Sequence, residues 1–279
     1  MWSNYSKVEM KFKFGLTGST GSLGRSLILN NKKINFHCYR GDIRDKKKIS
    51  QWIQKYQLNV LIHLAAIVPI KVVNKNKKKS YDVNYIGTKN IIDCIISSKI
   101  NWFFFSSTSH VYKSSIKKIK ESSKIEPISY YGKTKYLAEQ YITKNLKNTK
   151  IRYCIGRIFS TSNKNQKKHY LIPDLNKKIQ KVKDKIKLNN LNHYRDFISM
   201  DEISKIIFLL YKKRFKGIIN IGRGKKILLK DIALLICKKF KKKCIFDDNK
   251  KPTFLISNNS KLKRYYKLKK EVELKDLIF

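Results

Sequence analysis

Three glycines, Gly18, Gly21 and Gly24, recur at every third position just after an apolar stretch, Lys11 to Thr17, that reads as a strand. Apolar periodicity resumes after them as a helix from about Ser22 to Asn31. Glycine tolerates positive φ and lets a backbone approach an anion closely. The helix that starts here turns unpaired N–H groups and the positive end of its dipole toward the same point. A strand, a glycine triplet and a helix in that order predict the pyrophosphate turn of a dinucleotide-binding unit. Gly18, Thr20, Gly21, Leu23 and Gly24 are the candidate contacts.

The rest of the first half alternates in the way such a unit requires. Ile34 to Tyr39 reads as a strand, Ile49, Trp52, Ile53 and Tyr56 fall at helical spacing, and Asn59 to Leu64 is a near-continuous apolar strand. Ser80 to Ser98 reads as one long helix, Trp102 to Phe105 as a buried strand, Ser129 to Leu146 as a helix and Ile151 to Phe159 as a strand. Near-continuous apolar strands separated by helices predict an α/β fold, a Rossmann-type doubly wound parallel sheet. Residues 10–160 are expected to form the dinucleotide-binding domain. Residues 161–279, with helices at 171–182, 201–213 and 228–240 and strands near 184–189 and 217–222, are expected to form mainly a small C-terminal α/β substrate-binding lobe, some elements returning to the core. The polar, basic segment 160–170 reads as a mobile loop, and residues 1–9 as a short overhang before Met10.

Bulk properties narrow the function classes. The longest apolar run, Val60 to Ile70, is interrupted by His63 and Pro69 and is too short to span a bilayer, and no secretory leader is evident. Cys38, Cys94, Cys154, Cys237 and Cys244 are odd in number and show no paired spacing. They read as reduced core residues of a cytoplasmic protein. The five histidines form no metal-ligand cluster, so no metal is expected. The net charge of +45 invites a nucleic-acid reading, but only nine of the 64 cationic residues are arginine, and lysine is spread along the whole chain. A binder that reads bases clusters its charge and uses arginine. No specific nucleic-acid partner is therefore expected, only salt-sensitive attraction to polyanions.

Strand 2 ends in Tyr39-Arg40, where an acidic residue would bind an NAD ribose; Arg25 also follows the last glycine. Cations there suit a 2′-phosphate and lean the cofactor, NAD or NADP, toward NADP; they read equally as solvated charge in a basic chain. Asp42, in Gly41-Asp42-Ile43, is placed to accept from an adenine amino group or to cap the next helix. Tyr131 and Lys135 are four apart on one helical face, where an ammonium would favour the phenolate and make Tyr131 an acid/base. Tyr130 is the rival, with uncharged Thr134 at i+4. Ser106 to Tyr112 puts a hydroxyl cluster at the carboxyl end of a central strand, where ligands bind in open α/β sheets.

Taken together, these motifs resemble the extended short-chain dehydrogenase/reductases of the NAD-dependent epimerase/dehydratase family. The resemblance rests on Thr17 to Gly24, Asp42-Ile43, His63-Leu64-Ala65-Ala66, Asp82-Val83-Asn84 through Thr88, the Ser/Thr-rich strand end and Tyr131-x-x-x-Lys135. It continues through Arg195-Asp196-Phe197 to Asp201, Asn220-Ile221-Gly222 and Ser260 to Arg264. It implies Thr108, Tyr131 and Lys135 as catalytic residues, Tyr131 and Lys135 also contacting the cofactor, Lys135 at the nicotinamide ribose, and Arg40, Asp42, Ile43, Leu64, Ala65 and Ala66 as further cofactor contacts. It implies a nucleotide-sugar substrate contacted by Asn84, Thr108, His110 and Arg195, and a homodimer built on helices 80–98 and 129–146. Arg195 has an alternative as the ion-pair partner of Asp196 or Asp201, and Asn84 as a helix-internal hydrogen bond. The family's Asn after Arg-x-Phe is Ser160 here, which leaves the sugar open. Ser109-His110 replace the Asp-Glu that follows the threonine in 4,6-dehydratases, so the implied reaction is hydride transfer at C4, by a 4-ketoreductase or a 4-epimerase. A non-catalytic dinucleotide sensor of the same fold would be expected to lack the Tyr or the Lys.

Overall fold

The computed structural model describes residues 12–68, 70–162, 166, 170–268 and 275. Strand β1 (Phe14–Thr17) is buried throughout and feeds α1 (Ser22–Leu29). The chain returns as β2 (Phe36–Tyr39), crosses α2 (Lys46–Tyr56), and enters β3 (Val60–His63) on the other side of β1. Helices α3 (Ile70–Lys75) and α4 (Lys77–Tyr81) run through a π-helical turn, Asp82–Ile86, into α5 (Gly87–Ile96). Then come β4 (Trp102–Thr108), α6 (Tyr130–Leu146) and β5 (Arg152–Ile158). Short β6 (Ser160–Ser162), α7 (Leu171–Gln180), β7 (Lys185–Asn189), β8 (Tyr194–Arg195), β9 (Phe197–Ser199) and α8 (Met200–Lys212) precede β10 (Gly217–Ile221). The last elements are β11 (Ile227–Leu228), α9 (Leu229–Lys239), β12 (Lys243–Asp247), β13 (Phe254–Leu255) and α10 (Ser260–Lys263).

The main sheet is six-stranded and parallel, in the order β10-β5-β4-β3-β1-β2. Its side chains alternate between two cores, as a period of two demands. Phe14, Leu16, Val60, Ile62 and Phe104 pack toward α1 and α8; Leu61, Phe103 and Phe105 pack toward α2, α5 and α6. This is the doubly wound α/β fold expected from the strand pattern. The strand order reverses between β1 and β3, which opens a crevice beyond Thr17 and His63, the place where ligands bind in such sheets. A third core, including Ile172, Ile179, Leu188, Ile232 and Ile236, lies between α7 and α9 in the C-terminal region.

Three expectations need correcting. The helix expected over 80–98 is continuous through Ile96 but is not uniformly α: it carries a π turn, where Asn84 turns its side chain to the backbone of Ile67 while Gly87 packs against Ile43. The inserted residue of a π turn lets both contacts form without ending the helix. Segment 160–170 is not all loop: β6 pairs in parallel with β9, while 163–165 and 167–169, like Met10 and the overhang, lie outside the described residues. Finally, Cys237 and Cys244 form a disulfide rather than two free thiols. The chain reverses after α9 through Lys241, at φ 54°, and Lys242 donates to the Cys237 carbonyl, so β12 carries Cys244 back over the helix end. Cys38, Cys94 and Cys154 are free thiols.

Candidate active site

Gly18 turns the chain at φ +76°, and a side chain there would meet the Ala65 amide at 2.6 Å. Only glycine fits so close to the loop after β3. The Gly21 amide donates to the Gly18 carbonyl (3.1 Å) to close the turn. Gly21 caps α1 without a side-chain hydrogen bond, and no acidic residue stands in the first helical turn. The free N–H groups of that turn therefore face a cavity of about 950 Å³ lined by Gly18, Thr20, Gly21, Leu23, Gly24, Leu64, Ala65 and Ala66. A ring of backbone donors with an open glycine face and an uncompensated helix N-terminus fits a pyrophosphate.

Three further expected cofactor contacts, Arg40, Asp42 and Ile43, do not line this cavity. Arg40 is exposed. Asp42 is gripped by Arg44, whose Nε and Nη2 donate to it at 2.9 and 2.5 Å, and these bonds hold its carboxyl below the ordinary range. Ile43 is buried against Gly87. The helix-capping alternative for Asp42 is filled instead by Asp45, which accepts from the Lys48 amide at 3.0 Å.

Thr108 ends β4, and Tyr131 sits in the first turn of α6; both line the cavity. The cap of α6 fixes that geometry. Ser129 Oγ accepts from the Gly132 amide at 3.0 Å and shares a 3.1 Å hydrogen bond with His110 Nδ1. Gly132 lies directly on the His110 carbonyl, so any side chain there would push the helix off the strand end. The rival Tyr130 instead lies under the Lys77 ammonium, 5.7 Å from its ring centre.

Lys135 is 1% exposed and does not line the cavity; its Nζ lies 4.0 Å from the centre of the Phe105 ring. Burial lowers it to about 7, opposed by the charge of Glu139. The Tyr131 phenol stands above its ordinary value, the reverse of the direction expected from the four-residue spacing. Burial is the largest cause, Tyr170 adds to it, and the bond with Thr108 opposes it. A lysine that itself resists charge in a dry site cannot draw down its neighbour.

His63 holds the crevice together from beneath, between Thr17 Oγ1 (2.6 Å) and Thr88 Oγ1 (3.0 Å), and burial keeps its ring neutral. Asn84 is also a support and not part of the lining. It accepts from the Ile67 amide at 2.8 Å, and its amide reaches the Ile67 carbonyl (3.0 Å) and Thr134 Oγ1 (3.2 Å).

On the lobe side, Arg195 lines the cavity and donates to the carbonyls of Tyr194 (2.8 Å) and Thr253 (3.0 Å) and to Thr253 Oγ1 (3.0 Å). Neither proposed carboxylate pairs with it: Asp196 accepts from the amides of Arg223, Gly224 and Ser257, and Asp201 from Ser26 and Asn30. Burial lowers Arg195 to about 10. Burial, then the nearby Arg195 charge, brings His110 to about 3, so its ring is neutral. Lys71, Lys178 and Lys187 line the same space; among the described lining residues the one carboxylate is Asp174, bound to Lys71 at 3.0 Å. Sequence reasoning missed these lysines and Tyr170, because nothing local marks a residue that only the tertiary fold brings to the crevice, Lys71 from α3 and the others from the C-terminal region.

Comparison with known proteins identifies the family and the fold. The family described as GDP-mannose 4,6 dehydratase matches residues 11–277. The GDP-6-deoxy-D-talose 4-dehydrogenase of Aggregatibacter actinomycetemcomitans is 28% identical over 236 residues, covering 81% of this chain and 79% of that protein. Among solved structures, RMD of Pseudomonas aeruginosa in complex with NADPH superposes with a TM-score of 0.84 at 16% identity, over 95% of this chain and 96% of that one. The UDP-glucose 4-epimerase of Thermus thermophilus in complex with NAD gives 0.77 at 15% identity, over 91% and 92%. With a match spanning nearly its whole length, the chain belongs to the GDP-mannose 4,6-dehydratase family, among the nucleotide-sugar epimerases and dehydratases of the extended short-chain dehydrogenase/reductase type.

Proposed function

We propose that this protein is a nicotinamide-dinucleotide-dependent enzyme that moves hydride at C4 of a nucleoside-diphosphate hexose, working as a 4-ketoreductase. The observation that carries the reading is the convergence of the glycine turn, Thr108, Tyr131 and Arg195 on one cavity. A bound dinucleotide would supply hydride to C4 of the sugar. Gly18 to Gly24 would hold its pyrophosphate, and Lys135 is the nearest candidate for its ribose. Thr108 and Tyr131 would bracket the sugar oxygen at C4, and Arg195 with the lining lysines would bind the substrate diphosphate, which suits a guanidinium fork.

Tyr131 is the proton donor in this reading. A phenol held above its ordinary value is protonated at neutral pH, the form needed to protonate an oxygen that gains charge as hydride arrives. Removal of water from the sugar, as in the family's name, needs further acid and base groups. The positions after Thr108 are Ser109 and a neutral His110, and Asp174 is engaged by Lys71, so dehydration is disfavoured. The same residues would serve 4-epimerisation if the dinucleotide stayed bound and oxidised the alcohol first. The test is reduced-dinucleotide consumption with a nucleoside-diphosphate 4-keto-6-deoxyhexose. Stoichiometric consumption supports ketoreduction; interconversion of 4-epimers without net consumption replaces it with the epimerase; release of water overturns both.

A further inference from the structure

Behind the strand end that carries Thr108 lies an ion pair that the proposed reaction does not use. Glu139 and Arg157 are 2% and 3% exposed. Arg157 grips the carboxylate with both Nε (3.1 Å to each oxygen) and Nη2 (2.6 Å). Ser107 Oγ donates to the same carboxylate, and Ser107 is both the register partner of Arg157 and the residue before Thr108. Arg157 Nη1 reaches the Glu121 carbonyl at 3.2 Å, and its guanidinium covers the Tyr112 ring at 4.7 Å. Tyr112 in turn donates to Asn220 Oδ1 at 2.7 Å, which ties the pair to β10. Glu139 also stands four residues after Lys135, one turn further along α6, and its charge acts on that lysine.

A buried pair of this kind gains little net stability, since desolvation offsets the attraction. Its position suggests what it contributes instead. We propose that Glu139 and Arg157 are the positioning pair of the reaction centre: through Ser107 they fix the strand end that presents Thr108, and through the carboxylate they favour the protonated form of Lys135 against its burial. The functional part of this rests on the C4 reading above. Lys135 faces Glu139 on its own helix, His63 from β3 and the Phe105 ring from β4. Arg157 from β5 is bound to Glu139. The lysines of α3 and α4, which also pack on α6, are exposed, and Asp93 on α5 is engaged by Lys46, Lys89 and Tyr141.

The test starts with the ligand-free protein, so it does not depend on knowing the substrate. Lysines are labelled with 13C at Cε, and the Lys135 resonance is assigned by its loss in Lys135→Met. Glu139→Gln alone strands a buried guanidinium and risks unfolding, so the informative variant replaces both charges, Glu139→Met with Arg157→Met. The expected result is a folded protein in which Lys135 loses its proton at a pH lower by about one unit or more, a shift equal to a tenfold change in the proton equilibrium. An unchanged Lys135 midpoint in that folded variant overturns the electrostatic role. Ser107→Ala probes the strand end separately and decides the matter if the double variant does not fold. It is expected to lower kcat about tenfold, because a misplaced reacting group slows the step, while leaving KM and dinucleotide affinity unchanged; an unchanged kcat overturns the positioning role. Absence of turnover in the unsubstituted protein as well would count against the C4 reading, and the lysine titration would still judge the pair.

Discussion

Lys135 is the residue whose setting departs most from its chemistry in water. Folded, it titrates near about 7; unfolded, it would titrate near ~10.4. Between those values the unfolded chain binds a proton that the folded chain does not, so the contribution of Lys135 to stability rises with pH across that window. Urea unfolding from pH 6 to pH 10 should show the unsubstituted protein gaining on Lys135→Met as the pH rises. Parallel curves would mean that the lysine is not sequestered. His110, at about 3 when folded against ~6.5 in a free chain, gives a slope of the same sign at lower pH. Its stabilising contribution is present above about 6.5 and is lost as the pH falls toward about 3, and His110→Gln should flatten the acid limb of the stability curve. At this scale the sequence shows identities and spacings only. That Tyr131 and Lys135 share a helical face follows from i and i+4; that both are dehydrated, with the phenol raised instead of lowered, depends on Phe105, Tyr170 and Glu139, which no spacing rule brings to them.

At the scale of elements, the start of α6 couples local structure to the site. Ser129 caps the helix and binds His110 with the same oxygen. Ser129→Ala should therefore cost about 1 kcal/mol of stability, the usual loss of such a cap, seen as a lower urea midpoint with an unchanged slope. It should also release His110, which would then titrate closer to its ordinary value in a proton NMR titration. A variant of unchanged stability would show that the cap is redundant. The strands were legible because a buried parallel sheet demands unbroken apolar runs: Val60-Leu61-Ile62 and Trp102 to Phe105 could hardly be anything else. The π turn was not legible, since its cause is a tertiary bond from Asn84 to Ile67. Nor were β8, β11 and β13, two-residue strands too short to carry a period.

On the scale of the whole molecule, charge and topology act separately. The net charge of +45 should draw the protein to any polyanion at low salt. Anisotropy with unrelated DNA oligonucleotides should show similar affinities that fall steeply between about 0.05 and 0.2 M salt; one sequence held selectively at the upper value would reveal a true nucleic-acid site. No described helix is long and apolar enough to cross a membrane. Topology is what assembles the crevice, by reversing strand order between β1 and β3 and setting the lobe residues against the carboxyl ends of the strands. The glycine turn and the ends of β3 and β4 were readable in advance because they lie on regular elements. Lys71, Lys178 and Lys187 were hidden among the chain's 64 cations. The most direct test of the account follows deuterium from the nicotinamide ring of a reduced dinucleotide into a nucleoside-diphosphate 4-keto sugar, using the unsubstituted protein and Tyr131→Phe side by side. The label should reach C4 of the sugar with the former, and the phenylalanine variant should do so ~10²–10⁴-fold more slowly while binding the dinucleotide as tightly. Label at another carbon, or equal rates for the two proteins, would contradict it.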